Sequence, residues 1–397
     1  VLRKQGYRIG LSGKNHSHVH HDRWDWASEF GHDHAHQKGQ TEDEVKFDEW
    51  IKGLQHMASH EPTPFPLECQ YPSRIVDQAQ KWIGQPSEDP FFLWMSFPEP
   101  HNPYQVPEPY YSMFPSESLP NNESDETALK NKGERWLWLR EQWKKTSEDF
   151  PAERERTRSN YHGMLRLIDD QVKRFVESLE RSGKMDNTIL VFTSDHGDFV
   201  GEYGLIRKGP DLPECLARIP FFVVGPGVTP GVRDSAHVNL CDIMPTLCNA
   251  AGAKVPYGTQ GLSLWPVLGE TTCHENFTST YAEHGLGGNR FTTEEVEEMK
   301  DPNAPPLQCT FDCLNNMTQS GASRMVRKGR WKLIADETGR QQLFDLQADP
   351  LELHDRIHDV GLRETLLDLQ SELINWMIRL QDPLPEPKGK YRYKALS

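Results

Sequence analysis

Two adjacent residues, Asp195 and His196, carry side chains well suited to hold a metal ion. They follow a short apolar run, Ile189–Phe192, and open an Asp-His-Gly turn. A carboxylate supplies a hard anionic oxygen and an imidazole supplies a nitrogen, so neighbouring positions on a turn can both face one cation. The same residues could instead form an ordinary strand-ending turn in which Asp195 caps a helix. On these residues alone the two interpretations are equally supported.

Three other segments place lysine or histidine in the loops between the predicted strands. They are Gly-Lys-Asn-His at 13–16, Pro-His at 100–101 and Arg-Lys-Gly at 207–209. Lysines can offset the charge of an anionic ester, and a histidine can supply the proton for its leaving oxygen. Each such residue, taken singly, could also be a surface charge or a hydrogen-bonded core residue. Their occurrence in sequence, each beside a predicted strand end, is what favours a shared site.

The elements that would position these residues are predicted from four short apolar runs. The runs are Tyr7–Ser12, Pro90–Phe97, Asn187–Ser194 and Ile219–Gly225. Near-continuous apolarity predicts strands covered on both faces, as in a largely parallel sheet. An amphipathic stretch over 161–179 feeds directly into the third run, with Gly183 between them, so the sequence predicts an α/β fold. In such folds the ligand site lies beyond the carboxyl ends of the strands. The predicted apolar face of the helix comprises Tyr161, Met164, Leu165, Ile168, Val172, Phe175 and Leu179.

The pattern changes after about residue 270. Two short strands, 331–334 and 342–346, flank a turn at 337–339, and a closing helix is predicted over 362–380. We therefore expect a catalytic α/β domain over 1–270 and a C-terminal α+β subdomain over 271–397, built on a small antiparallel sheet. The polar segments 114–150 and 286–322 are expected to be surface excursions.

Taken in order, these segments resemble the sulfatase family of the alkaline-phosphatase-like superfamily, over residues 6 to about 355. The resemblance implies a sandwich of a mostly parallel mixed sheet between helices. It also implies hydrolysis of sulfate esters on a sulfated sugar or polysaccharide. Two alternatives remain open: a phosphomonoester, phosphodiester or phosphonate hydrolase on the same scaffold, and an inactive module that binds sulfated glycans.

The resemblance implies one divalent metal, with Asp195 and His196 among its ligands. Calcium is the leading expectation, with manganese, magnesium and zinc as alternatives, because many sulfatases have Asn where this chain has His196. Imidazole suits manganese or zinc better than calcium.

The resemblance also implies catalytic roles. Lys208 would contact the sulfate oxygens and His101 would protonate the leaving oxygen. Lys14 would stabilise the charge of the nucleophile and His16 would assist its proton transfer. His284, in the segment Tyr-Ala-Glu-His-Gly, is expected to line the substrate pocket.

The nucleophile in this family is a formylglycine made from Cys or Ser in a C-x-P-S-R pattern, ahead of the Gly-Lys-x-His segment. We expect this pattern and two further aspartate ligands to precede Val1. The run Cys69–Arg74 has one residue too many between Cys and Pro, and it follows Lys14 rather than preceding it. It instead predicts a helix start capped by Ser73. The predicted buried face of that helix is Ile75, Ala79 and Trp82.

These 397 residues alone are therefore expected not to hydrolyse aryl sulfates, because the nucleophile and half of the metal ligands would be absent. Initial rates with and without added divalent metal check this expectation, and metal-dependent turnover would contradict it.

Composition restricts the partners. A net charge of −15 disfavours nucleic acid and anionic membranes, and no apolar run is long enough to span a bilayer. The expected partner is an anionic sulfated small molecule or glycan. The sequence leaves the location open, although the resemblance favours the periplasm or secretion. The histidine-rich stretch 16–36 is expected to be a polar loop at the active site, and the seven cysteines are expected to be scattered thiols.

Overall fold

Parallel strands form the first sheet of the structure, which is a computed structural model. It describes residues 1–15, 17, 19–30, 39–120, 128–129, 132, 134–144, 147–209, 211–231, 236–269, 275–285 and 322–380. Strands β1 (Arg8–Gly13), β2 (Trp26–Glu29) and β3 (Phe91–Ser96) lie in the order β2-β1-β3, and both pairs are parallel. Gly13 and Ser96, the last residues of β1 and β3, are register partners. The two strands therefore end at the same edge of the sheet.

The third and fourth predicted strands form a separate pair. Strand β4 (Leu190–Thr193) pairs with β7 (Phe221–Val224), and the pair is antiparallel rather than part of the parallel sheet. Between them, β5 (Phe199–Val200) and β6 (Ile206–Arg207) form a short antiparallel hairpin. The four predicted strands are confirmed, and the described α/β part combines parallel and antiparallel pairing in separate sheets.

The expectation that these strands are covered on both faces holds for the buried half of β1 but is wrong for β3 and β7. Trp94 of β3 is 53% exposed, and Phe222 and Val224 of β7 are 48% and 49% exposed. Exposed and partly buried residues alternate along β7, so one face packs while the other meets solvent. Phe222 recovers some contact by stacking on Phe192, with ring centroids 4.6 Å apart.

A long helix supports the sheets. The α-helices of the described chain are α1 (Glu42–Gly53), α2 (Tyr71–Ile83), α3 (Tyr110–Met113), α4 (Glu134–Lys144), α5 (Phe150–Arg181), α6 (Glu214–Ala217), α7 (Ile243–Ala250), α8 (Trp265–Gly269) and α9 (Arg363–Leu380). In α5 the side chain of Asp149 caps the first turn by accepting from the Ala152 amide. The helix ends before Gly183, whose φ is 65°. None of the described helices is both long and apolar enough to cross a membrane.

The buried face of α5 agrees with the predicted face at most positions. Met164, Ile168, Phe175 and Leu179 are buried, whereas Leu165 is 43% exposed. Leu165 directly follows Met164 and lies about 100° further around the helix, so it falls outside the packed stripe.

The segment 114–150 contributes to the core, so its prediction as a surface excursion is wrong. Trp136, Leu139 and Trp143 of α4 are at most 2% exposed and pack in one cluster with Phe199. Their spacing of three and four residues places them on one helix face, and the charged residues between them hide this stripe in the composition.

An antiparallel sheet of four strands forms the C-terminal part, in the order β11-β10-β9-β8. The strands are β8 (Ser279–His284), β9 (Ser323–Lys328), β10 (Trp331–Asp336) and β11 (Gln341–Asp345). Helix α9 packs on this sheet through Leu369, Leu373 and Trp376. The predicted strands and closing helix are confirmed. The predicted insert 286–322 lies, except for residue 322, outside the described residues.

A buried ionic cluster joins this sheet to α6. The fully buried Lys332 places its Nζ 2.9 Å from Glu214 and 2.9 Å from Glu352. Glu352 also accepts a hydrogen bond from the Glu214 amide at 2.7 Å, and Arg327 pairs with Glu214 at 3.0 Å. Burial opposes the charge of Lys332, but the two carboxylates outweigh it and raise its pKa.

Replacing Lys332 by methionine is expected to lower the free energy of unfolding by about 3–5 kcal/mol, because the buried Glu352 and the partly buried Glu214 lose the cation that they share. Denaturant titration followed by circular dichroism measures the change. The matched control is Lys328→Met on β9, which removes a partly exposed pair with Asp368 and should cost less than about 1 kcal/mol. Equal effects of the two substitutions would contradict this assignment.

Candidate functional site

The Asp-His-Gly turn follows β4 and is fixed against α6. The Gly197 amide donates to the Leu216 carbonyl at 2.9 Å. A Cβ on Gly197 would lie 2.0 Å from the carbonyl oxygen of Cys215, so a larger residue cannot occupy this position without displacing backbone. The Ser194 hydroxyl closes the turn by donating to the His196 carbonyl at 2.6 Å.

Within this turn, Asp195 and His196 present one oxygen and one nitrogen to the same region. The His196 Nδ1–H donates to the Gly197 carbonyl at 2.8 Å, and its Nε2 lies 3.6 Å from Asp195 Oδ2. Burial lowers the pKa of His196, which favours the neutral ring with a lone pair on Nε2. Ligands bonded to one cation at about 2.0–2.5 Å lie roughly 3–3.6 Å apart. The separation of these two atoms would therefore suit one cation, although no group of three metal-ligating side chains occurs among the described residues.

Two further carboxylates lie at this site and were not predicted. Burial raises the pKa of Asp198 to about 7 and that of Glu99 to about 8. Asp198 Oδ1 and Glu99 Oε2 are buried without a hydrogen-bond partner in the part of the chain that the structure describes. Nearby cations, Lys208 and Arg207 at Asp198 and Arg74 and Lys14 at Glu99, oppose these shifts without cancelling them, so this donor set fits a bound cation. The only signal in the sequence was their place inside the motifs around His101 and His196.

Lys14 is held at the end of β1 by close contact with β3. Gly13 has a φ of 116°, and a Cβ there would lie 1.9 Å from the Ser96 carbonyl oxygen. The Lys14 amide donates to that same oxygen at 2.9 Å. Only glycine permits this approach, so Gly13 directs the chain toward the site.

The electrostatics of Lys14 show which predicted residues come together. Burial lowers the pKa of Lys14, and the charge of Lys208 lowers it further. The charges of Asp195, Asp198 and Glu99 oppose this shift. The loops after β1, β3, β4 and β6 therefore meet around one group of charges, beyond the carboxyl ends of β1 and β3.

Lys208 directly follows β6 and is partly buried. The next residue, Gly209, packs against Phe199, where a Cβ would lie 2.2 Å from the ring. His101 is also partly buried, and its Nδ1–H donates to the Asn102 carbonyl at 2.7 Å. Asn102 in turn contacts His56, whose carbonyl accepts from Arg207. The loops that carry His101 and Lys208 are thus linked.

Two further predicted site residues are not among those that the structure brings together. His16 lies outside the described residues. His284 ends β8 in the C-terminal sheet opposite Ser323, whose hydroxyl donates to Asp211 at 2.9 Å. Asp211 is three residues beyond Lys208, so the β8–β9 edge approaches this segment.

The run from Cys69 does not provide a nucleophile. Cys69 is 4% exposed, and burial raises the pKa of its thiol. The buried face of α2 is confirmed by Ile75, Ala79 and Trp82, which are at most 3% exposed. Ser73 is not the cap, because the helix begins at Tyr71 and places Ser73 inside the first turn. The described cysteines at 69, 215, 241 and 248 are free thiols.

The histidine-rich stretch is only partly a loop. Residues 16, 18 and 31–38 lie outside the described residues, but Trp26–Glu29 forms β2. Trp26 stacks on Trp82 of α2, with ring centroids 5.4 Å apart. A parallel strand within this stretch corrects the prediction of one continuous polar loop.

Comparison with solved structures defines the class of fold. The phosphonate monoester hydrolase of Agrobacterium radiobacter superposes with a TM-score of 0.72 at 20% identity, covering 99% of this chain and 83% of that one. The fold is alkaline-phosphatase-like, with a C-terminal antiparallel sheet.

Comparison of sequences gives the family. The sequence model of the sulfatase family matches residues 1–253, and the chain belongs to that family. An arylsulfatase of Clostridium perfringens is 30% identical over 297 residues, covering 72% of this chain and 53% of that protein. The N-acetylglucosamine-6-sulfatase of Bos taurus is 27% identical over 280 residues, covering 68% and 48%. The chain thus spans about half the length of these two relatives.

Gly197→Ala is expected to lower the free energy of unfolding by about 1–3 kcal/mol, because the new Cβ forces the turn away from α6. Since the turn carries Asp195 and His196, affinity for divalent metal should fall about tenfold or more. Denaturant titration and calorimetric metal titration measure the two effects. Gly53→Ala is the matched control, because its Cβ would meet nothing within 4 Å. Unchanged metal affinity in Gly197→Ala would contradict the assignment.

Proposed function

We propose that the protein hydrolyses sulfate esters, with sulfated sugars as the substrate class. One observation carries the proposal: Lys14 and Lys208 are close enough for their charges to interact, beside Asp195 and Asp198. Two lysines held together, with Lys14 partly desolvated, form a site that an anionic group stabilises. Family membership and the glycan sulfatase among the relatives support the choice of a sulfated sugar.

A divalent cation is proposed to bind at Asp195 Oδ2 and His196 Nε2, with Asp198 close by. When bound, such an ion would offset the negative charge of the ester oxygens. Calcium remains our first choice, and manganese, magnesium and zinc are the alternatives, since one of the two ligands is an imidazole.

The lysines and histidines are proposed to have separate catalytic roles. Lys208 binds the ester oxygens, and Lys14 stabilises the charge of the nucleophile from the end of β1. His101 protonates the leaving oxygen through Nε2. Its Nδ1–H is bonded to the Asn102 carbonyl, an interaction that stabilises the protonated ring. His16 and His284 keep their proposed roles in proton transfer and in lining the substrate pocket.

The nucleophile is proposed to be a formylglycine, as in the family that this chain resembles. Neither Cys69 nor Cys215 suits the role. Cys69 is buried in the core, and burial raises the pKa of Cys215 well above its ordinary value.

Lys208→Met is expected to lower kcat/KM for 4-nitrophenyl sulfate by about 10²–10³, because a preorganised charge on the ester oxygens is lost. The measurement uses the product of the whole gene, matured in a host that makes formylglycine. The control is Lys254→Met, which removes an exposed lysine after α7 and should leave the rate unchanged. A Lys208→Met protein as active as the unmodified one would contradict the proposed role.

The substrate class is tested in the same assay with N-acetylglucosamine 6-sulfate, a phenyl phosphonate monoester and 4-nitrophenyl phosphate. The proposal requires that a sulfate ester be the best substrate. A preference of about 100-fold or more for the phosphonate ester would instead favour phosphonate hydrolysis on this scaffold.

A further inference from the structure

A strained turn connects the two loops that carry His101 and Lys208. Helix α1 ends at Gly53, and the next turn contains Gln55 and His56 with φ values of 45° and 69°. Residues other than glycine seldom adopt positive φ, and such strain persists where surrounding contacts fix it. Both side chains are exposed, so burial of the side chain does not explain the conformation.

The backbone of this turn holds the Lys208 loop. The His56 carbonyl accepts a hydrogen bond from Arg207 Nη2 at 2.6 Å. Arg207 is 7% exposed, has a φ of 64°, and places its guanidinium 4.5 Å from the centre of the Trp143 ring. Because Arg207 directly precedes Lys208, this contact sets the direction in which the chain enters the site.

The ring of His56 holds the His101 loop. Asn102 Nδ2 lies 3.0 Å from His56 Nδ1, and an amide nitrogen can only donate. Nδ1 of His56 is therefore the acceptor. Asn102 is 8% exposed, and its carbonyl accepts from His101 Nδ1–H at 2.7 Å. The His56 ring thus holds the side chain of Asn102, and the backbone carbonyl of Asn102 orients the His101 ring.

A buried frame supports the turn. The segment after His56 runs beside the segment after His101, with Tyr104 N donating to the Met57 carbonyl and Ser59 N donating to the Tyr104 carbonyl. Asn160 of α5 donates to the carbonyls of Ser59 and Tyr104 at 2.9 and 2.8 Å. His56 therefore projects from a frame that packing with α5 keeps rigid.

We infer that His56 is a positioning residue that fixes the distance between the proton donor His101 and the anion-binding Lys208. The inference rests on the proposed function. A sulfate ester has to reach Lys208 with its terminal oxygens and His101 with its bridging oxygen at the same time. An error of a fraction of an ångström between these loops lowers the rate of the chemical step more than it lowers binding.

Three substitutions separate the ring contact of His56 with Asn102 from the backbone conformation that presents its carbonyl to Arg207. His56→Gly accepts positive φ readily and lacks the ring acceptor. His56→Asn tolerates positive φ and offers an oxygen near the position of Nδ1. His56→Ala lacks the acceptor and also adds strain. We expect His56→Gly to lower kcat by about 10- to 100-fold for unactivated alkyl sulfates and by much less for 4-nitrophenyl sulfate, whose leaving oxygen needs little protonation. KM should change by less than about threefold, and His56→Asn should restore most of the rate.

The matched control is Gln55→Gly, which relaxes the neighbouring residue of the turn and leaves both contacts of His56 in place. Its kinetics should equal those of the unmodified protein. A second measurement does not depend on turnover: long-range ¹H–¹⁵N spectra of the His101 ring report which nitrogen carries the proton. His56→Gly should reduce the population that is protonated at Nδ1.

The outcomes are distinct. Equal losses for activated and unactivated sulfates, or unchanged rates together with an unchanged His101 tautomer, would overturn the positioning role. Absence of sulfate ester turnover in the unmodified protein would overturn the proposed function, and the tautomer measurement would still decide whether His56 orients His101.

Discussion

The site depends on holding charges of both signs close together and partly out of water at the ends of several strands. Lys14, Lys208, Asp195, Asp198 and Glu99 interact there. Burial lowers the pKa of Lys14 and raises those of Asp198 and Glu99, so each of these three shifts disfavours the charged form. A bound cation would favour the ionised carboxylates, and a bound anion would favour the protonated lysines, so ligands of both kinds stabilise this group of charges.

The scaffold provides this arrangement by close backbone approach and by a buried ionic anchor. Gly13 brings β1 against β3, and Gly197 brings the Asp-His turn against α6, at distances that exclude any side chain. Helix α6 is tied to the C-terminal sheet through Lys332 and its two carboxylates. The C-terminal part therefore supports the site through Glu214, one residue before the carbonyl that Gly197 packs against.

Local patterns predicted the elements well, because short apolar runs and amphipathic stripes are local in sequence. The strands around Ile9 and Leu93 and helix α9 follow directly from such patterns. The antiparallel pairing of β4 with β7 was not predictable, since apolarity does not encode strand direction. Nor was the core role of Trp136, because charged neighbours mask its stripe.

The candidate site was predicted where motif and strand end coincide, and was missed where the contact is long-range. The sequence singled out Lys208 and Asp195, and the interaction of both with Lys14 supports that choice. His56 carries no motif. Its contacts reach Asn102, 46 residues away, and Arg207, 151 residues away, and only the folded chain brings them together.

The charge balance of the site bears on the kind of ester that it binds. A divalent cation would favour the ionised form of all three carboxylates, so the lysines and carboxylates together would carry two positive and three negative charges. With the cation counted and His196 neutral, the net charge of this group would be +1, and a monoanionic ester would bring it to zero. A phosphate monoester, which carries a charge near −2 at neutral pH, would leave the buried site negative again. Sulfate esters and phosphonate monoesters both carry a single negative charge. Discrimination between them therefore depends on the nucleophile and on the shape of the pocket, whereas charge disfavours the phosphate monoester.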